Sequence, residues 1–314
     1  MNLLLVKNLG NSVGPFLLGV YVKARQRVRG FIIMHQVLDR YLGNMLVKLD
    51  LLIRKTGILN SELRKGYLDH NGFKIHFGKE DSDQAAFIVT NNDYETETRE
   101  AIENILERGD VFVDLGANIG FFTLLAARIV GPEGKVFAFE PTPSTRKFLV
   151  KNVLENDFND RVVIENYAIS DRRSKAKFSV TALSEYNSIC VGEGGREGTI
   201  EVDTISLDEY FLEKGMMRVD LIKMDIEGQE LPAMRGMGNI NEGNQEIKII
   251  FEYHKEHIKY NKLTSIEIFQ LLKDYGFKNF TVLFREPYKI KIPDDLKILE
   301  SAATRANLNI LAEK

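Results

Sequence analysis

The sequence predicts an α/β fold: a doubly wound, mostly parallel sheet preceded by a basic helical segment and a small β lead-in. Three observations predict it. From about residue 93 onward, short apolar runs alternate with amphipathic stretches at the spacing of parallel strands joined by crossover helices. One of those runs, Val111-Phe112-Val113-Asp114, passes directly into a glycine turn and a helix. Charge also divides along the chain. Residues 1–66 hold eleven Lys/Arg against three acids (+8), which leaves 31 bases and 42 acids (−11) for the rest. The expected organisation is therefore a basic segment over 1–66 and an α/β domain over 67–314.

The first twenty residues are apolar, but Lys7, Asn8, Asn11, Gly14 and Pro15 interrupt them, which makes them too short and broken for a spanning helix. No basic stretch precedes them and no small-residue cleavage site follows, so a secretory signal is not expected. Over 31–58, Met34, Leu38, Tyr41, Leu42, Met45, Leu49, Leu52 and Ile53 recur at three- and four-residue steps, the pattern of an amphipathic helix. Just before it, Lys23, Arg25, Arg27 and Arg29 alternate with uncharged residues. That pattern suits a helix lying on an anionic membrane surface, with residues 1–60 as a peripheral contact. The simpler reading, and the favoured one, is a helical cap that packs its apolar stripe on the next domain with its charges in water.

Phe73, Ile75 and Phe77, separated by Lys74 and His76, predict a short strand bracketed by Gly72 and Gly78. Helices are expected over 95–107, 119–130, 144–156, 229–237 and 265–275, and strands over 111–113, 136–139, 162–164, 221–224 and 247–251. Two closing strands are expected over 278–284 and 307–312. Thr264 with Glu267 forms a capping-box pattern before the last helix. Between 175 and 208 the alternation lapses, as in an insertion that carries substrate contacts.

The chain has 314 residues, 44% hydrophobic and 28% charged, enough for a sizeable core. A net charge of −3 argues against a dedicated nucleic-acid binder. Cys190 is the only cysteine, which excludes an internal disulfide or a multi-cysteine metal site and suits a reducing cytoplasm.

The chemistry concentrates in Asp114-Leu115-Gly116-Ala117-Asn118-Ile119-Gly120. In a doubly wound sheet, such a turn lies at the carboxyl end of its strand, where ligands bind. Gly116 permits close backbone approach, Gly120 permits close packing of helix on strand, and a helix N-terminus offers N–H groups to a carboxylate. A dinucleotide fingerprint would need glycines where Asn118 and Phe121 stand, and Asp114 would repel a pyrophosphate. An acid there suits a ligand with a cationic end, such as the methionine moiety of S-adenosylmethionine. Glu140 closes the strand 26 residues after Asp114, where a carboxylate can accept hydrogen bonds from ribose hydroxyls.

At these residues the chain resembles the class I S-adenosylmethionine-dependent methyltransferases, which are Rossmann-like. The run Leu221-Ile222-Lys223-Met224-Asp225-Ile226-Glu227-Gly228-Gln229-Glu230 resembles the signature of the FkbM methyltransferase family, as do Gly109-Asp110 and Tyr94-Glu95. The resemblance covers about 85–312 and leaves out the basic first quarter. It implies a seven-stranded sheet with the last strand antiparallel, and O-methylation of a sugar, glycan or other hydroxylated small molecule. Carried over by position, Asp114, Gly116, Asn118, Gly120 and Glu140 hold the cofactor, with Glu95, Ala117 and Asp225 counted in the same set. Asp225 and Glu227 then lie where cofactor and acceptor meet.

Methylating a hydroxyl calls for alignment and a general base. Asp225, Glu227, Glu252 and His254 fall at or just after predicted strand ends, and His254 or Glu227 is the favoured base, with Asp225 beside them. Blander readings stand beside these: His254 capping a strand end, Glu227 capping a helix, Asp225 as a solvated turn acid. A hard-cation site built from the same four groups is a further alternative, but spacing does not establish convergence, and no metal is assigned. The competing function is a catalytically silent membrane-surface or assembly protein recruited through the basic helices.

Overall fold

The computed structural model describes residues 66–78, 94–179, 188–189, 199–254, 258, 263–284, 286–303 and 308–314. The expected N-terminal helices, the basic membrane-contact segment and Cys190 lie outside the described residues. The chain divides into two compact units, 1–94 and 95–314.

In the first unit, β1 (Tyr67–His70) and β2 (Phe73–His76) form an antiparallel hairpin. The expected lead-in is thus a pair of strands. Asn71 and Gly72 make its two-residue turn with φ of 50° and 80°, the left-handed backbone an Asn-Gly hairpin turn demands.

The second unit runs α1 (Thr96–Ile105), β3 (Val111–Leu115), α2 (Phe121–Val130), β4 (Lys135–Phe139), α3 (Pro143–Glu155), β5 (Val162–Glu165), β6 (Ala168–Ile169), β7 (Ser174–Ser179), β8 (Ser188–Ile189), β9 (Thr199–Ile205) and α4 (Leu207–Glu213). It continues with β10 (Leu221–Met224), α5 (Glu230–Arg235), α6 (Gly238–Gly243), β11 (Lys248–Tyr253), α7 (Ser265–Asp274), β12 (Asn279–Leu283), β13 (Tyr288–Ile290), α8 (Leu296–Ala303) and β14 (Leu308–Glu313).

The main sheet has the order β13-β12-β14-β11-β10-β3-β4-β5. Pairings from β11 through β5 are all parallel, and β14 enters antiparallel between β11 and β12. All seven expected strands are present, and β13 adds a short antiparallel edge strand as an eighth. The chain steps outward from β3 to β4 and β5, then returns to β10 beside β3. The crevice of a doubly wound sheet therefore opens at the carboxyl ends of β3 and β10. Phe112, Val113, Leu115, Leu221, Ile222, Ile249, Ile250 and Phe251 are fully buried, as expected of strands covered on both faces. Helix α2 is buried almost all round, from Phe121 to Ala127. Pro143 opens α3, where a missing N–H costs nothing. Before α7, the Glu267 carboxylate accepts from the N–H and hydroxyl of Thr264, as its spacing predicted.

Some features differ from expectation. The 119–130 helix starts at Phe121, because Gly116, Asn118 and Gly120 hold left-handed backbone (φ 78°, 51°, 98°) incompatible with a helix. The 229–237 helix ends at Arg235, and a second short helix follows. The weakly patterned 175–208 region contributes to a second sheet, β6-β9-β7-β8, around Ala168, Phe178 and Val202. Helix α4 follows it, capped by the Ser206 side chain accepting from the Glu209 N–H. Among the described residues, no helix is long and apolar enough to cross a membrane.

Candidate functional site

Three strand ends are laced together by backbone. The N–H groups of Gly116 and Ala117 both donate to the Phe139 carbonyl at 3.1 and 3.0 Å, tying the turn after β3 to the end of β4. The Asp225 N–H donates to the Leu115 carbonyl at 3.1 Å, bringing in the end of β10. A Cβ on Gly116 would lie 1.9 Å from the Asp225 carbonyl oxygen, so only glycine fits where the two loops cross. A Cβ on Gly120 would lie 2.6 Å from Leu149 Cδ1, which seats α2 against α3.

Glu140 folds back onto the same turn. Its two carboxylate oxygens accept from the N–H groups of Asn118 (3.1 Å) and Thr142 (2.8 Å). Burial pushes its carboxyl up to about 6 against those hydrogen bonds. Asp114 is 1% exposed. One of its oxygens accepts from the Thr123 hydroxyl at 2.7 Å, and the other has no partner among the described residues. The same holds for the buried side-chain oxygen of Asn118. The turn and Glu140 thus meet at the ends of β3 and β4. The N–H groups of Gly116, Ala117, Asn118 and Gly120 serve internal acceptors within this turn, ahead of the helix that starts at Phe121. Ala117 is buried as well.

Beside this turn lies a cluster of acids. Oxygens of Asp225, Glu227 and Glu252, from the ends of β10 and β11, lie within 4.8 Å of one another. Burial first, then the nearby Asp225, Glu227, Glu230 and Glu95, push the Glu252 carboxyl well above its ordinary value. Three such oxygens could hold a hard cation or share a proton, and no metal is assigned to them. His254, just beyond β11, is not among the groups that converge there. Glu230 is 4% exposed, and one of its oxygens accepts from the N–H groups of Ile226 (3.1 Å) and Gly228 (3.3 Å). It holds the 225–229 loop in shape while Glu227 and Gly228 take left-handed backbone (φ 55° and 92°). Burial raises its carboxyl to about 7.

Glu95, with φ 42°, accepts from the Asn309 side-chain amide at 2.9 Å, which in turn donates to Thr98 at 2.8 Å. Burial raises its carboxyl, and the nearby Lys223 pulls it back. Lys223 pulls the buried carboxyls of both Glu95 and Asp114 back down. Its Nζ sits 3.2 Å from Asp225 Oδ2 and 4.9 Å from the centre of the Phe122 ring, with its side chain 4% exposed. Sequence reasoning gave no role to Lys223, Thr123 or Glu230. A lysine inside the otherwise apolar strand Leu221-Ile222-Lys223-Met224 was a readable signal, because buried lysines are rare unless paired.

Residues 114–278, just over half of the chain, match the Methyltransferase FkbM domain. The hexuronic acid methyltransferase AglP of Haloferax volcanii is 31% identical over 137 residues, covering 42% of this chain and 52% of that protein. The 2-O-methyltransferase NoeI of Sinorhizobium fredii is 28% identical over 156 residues, covering 43% and 60%. The 31-O-demethyl-FK506 methyltransferase FkbM of Streptomyces tacrolimicus is 27% identical over 161 residues, covering 42% and 61%. The chain spans about half to three fifths of the length of these relatives. With its glycine turn, its Asp225–Glu230 loop and the strands between them all inside the matched region, the chain belongs to the FkbM methyltransferase domain family.

Proposed function

We propose that this chain is an S-adenosylmethionine-dependent O-methyltransferase acting on a hydroxyl of a sugar, glycan or other small metabolite. The observation that carries the reading is the convergence of the Asp114–Gly120 turn and Glu140 on one edge of the sheet, next to the carboxylates of Asp225, Glu227 and Glu252. The residues present fit such a cofactor. Unpartnered buried oxygens of Asp114 and Asn118 offer acceptors to cationic and hydroxyl groups, and the glycine at 116 keeps the crevice floor flat. When bound, S-adenosylmethionine supplies an electrophilic methyl group on a sulfonium sulfur. Asp114, Gly116, Asn118, Gly120 and Glu140 hold it, with Glu95 and Asp225 at the border with the acceptor.

A hydroxyl acceptor must lose its proton as its oxygen forms the new bond. Glu227 is the proposed acceptor of that proton, with Asp225 beside it in the same cluster of carboxylates and His254 in reserve. The name of the relative AglP, a hexuronic acid methyltransferase, supports a sugar-type acceptor, and that of NoeI, a 2-O-methyltransferase, supports transfer to oxygen. Calorimetry with S-adenosylhomocysteine tests the cofactor site. Asp114→Ala and Glu140→Ala each weaken binding by roughly 1 kcal/mol or more through lost charge-assisted hydrogen bonds. Unchanged affinity in both variants sinks the assignment. Glu227→Gln leaves that affinity in place while slowing methyl transfer roughly 10²- to 10⁴-fold, the range of a lost general base.

A further inference from the structure

The floor of the site holds a cation where the reading above calls for negative charge. Lys223 sits on β10, with Asp114 of β3 and Ile250 of β11 as its register partners on either side. An ammonium this buried is tolerated only if paired, and it is paired at 3.2 Å with Asp225, whose backbone also crosses Gly116. Phe122 of α2 offers its ring face from the remaining side at 4.9 Å. The charged groups around it are Asp225 on its own strand, Asp114 on β3 and Glu95 at the start of α1, with Glu227, Glu230 and Glu252 one step further out around Asp225.

We propose that Lys223 is a positioning residue: an internal counter-ion that fixes the Asp225 carboxylate in the crevice and lets the buried Asp114 and Glu95 carry charge near one another. Burial raises the carboxyls of Asp114 and Glu95, and in both Lys223 is the largest influence pulling them back. Removing the cation while keeping the stem therefore loads protons onto the acids that the cofactor needs ionised. The inference rests on the proposed cofactor reading for its purpose, but its physical core is testable without any ligand.

The test compares full-length Lys223→Met, Lys223→Gln and Lys223→Arg with the parent by urea unfolding between about pH 5.5 and pH 8. Acids whose folded-state affinity for protons is raised lose stabilisation as pH rises. Lys223→Met and Lys223→Gln should therefore fall more steeply with pH than the parent, and Lys223→Arg should run parallel to it. In calorimetry at pH 7, Lys223→Met should bind S-adenosylhomocysteine at least tenfold more weakly and regain part of that as pH rises, whereas Lys223→Arg stays within threefold. If Lys223→Met does not fold, Lys223→Gln against Lys223→Arg makes the same comparison. A pH slope identical to the parent in the neutral variants, or a steepened slope in Lys223→Arg, overturns the proposal. Steepened slopes together with a parent that binds no S-adenosylhomocysteine leave Lys223 as counter-ion and remove the cofactor reading instead.

Discussion

The crossing of the Gly116 turn under the Asp225 carbonyl is the contact on which the crevice depends, and Gly116→Ala tests it directly. An added Cβ lies 1.9 Å from a backbone oxygen, which itself belongs to a loop anchored by the Asp225 N–H to Leu115 bond. Neither loop can swing aside as a side chain would. Placing alanine at φ 78° costs about 1–2 kcal/mol, and forcing the loops apart costs a further 1–3 kcal/mol or so. The sum is about 2–5 kcal/mol, a large share of the roughly 5–15 kcal/mol that holds a domain together. Gly120→Ala is the internal control. It has the same left-handed strain at φ 98°, but its Cβ meets only the end of the Leu149 side chain, which can rotate. Its cost is expected to stay near the backbone term of about 1–2 kcal/mol. Urea midpoints with unchanged m-values read the difference. A Gly116→Ala protein no less stable than Gly120→Ala would mean that the two loops do not cross as described, and the geometry assigned to Asp225 would go with it.

Two further outcomes follow from the buried acids. Glu140 holds its proton up to about pH 6 in the folded state against an ordinary value of 4.5, a difference of about 1.5 pH units or about 2 kcal/mol. That stabilisation is present below about pH 4.5 and disappears as pH rises through about 6, so Glu140→Gln should flatten the stability profile across this window; an unchanged slope refutes it. Both N–H groups bound by Glu230 converge on a single oxygen, which a glutamine can also supply. Glu230→Gln should therefore stay within about 1 kcal/mol of the parent, while Glu230→Ala removes the shared acceptor of both N–H groups and costs roughly 1–3 kcal/mol. Equal stability of the two variants in thermal or urea unfolding would dismiss the role given to Glu230.

Much of this architecture was legible because strand, turn and helix in the 111–130 region carry different chemistry in succession: an apolar run, an acid, spaced glycines, then an apolar helix. Glu140 was legible for the same reason, as an acid ending an apolar strand. The second sheet was not, because β7 reads Ser-Lys-Ala-Lys-Phe-Ser and buries little, so its periodicity is faint. The acid cluster was only half legible. Asp225, Glu227 and Glu252 stand at strand ends in sequence, but their approach depends on β10 and β11 lying side by side and on Glu227 adopting left-handed backbone, neither of which spacing encodes. Glu230 looked like an ordinary first-turn helix acid. Its actual task, satisfying the loop that precedes its own helix, follows from the turn geometry alone.

The place of β14 in the sheet carries a consequence for how the domain can fail. It follows the other described strands in sequence yet lies in the sheet interior, with β11 on one side and the β12–β13 ribbon on the other. Until it docks, the parallel half ends at β11 in an open row of amides and carbonyls, and the ribbon has no sheet to join. Any lesion that loosens residues 308–313 would uncover two sticky borders at once, so damage there should surface as precipitation before it surfaces as lost chemistry.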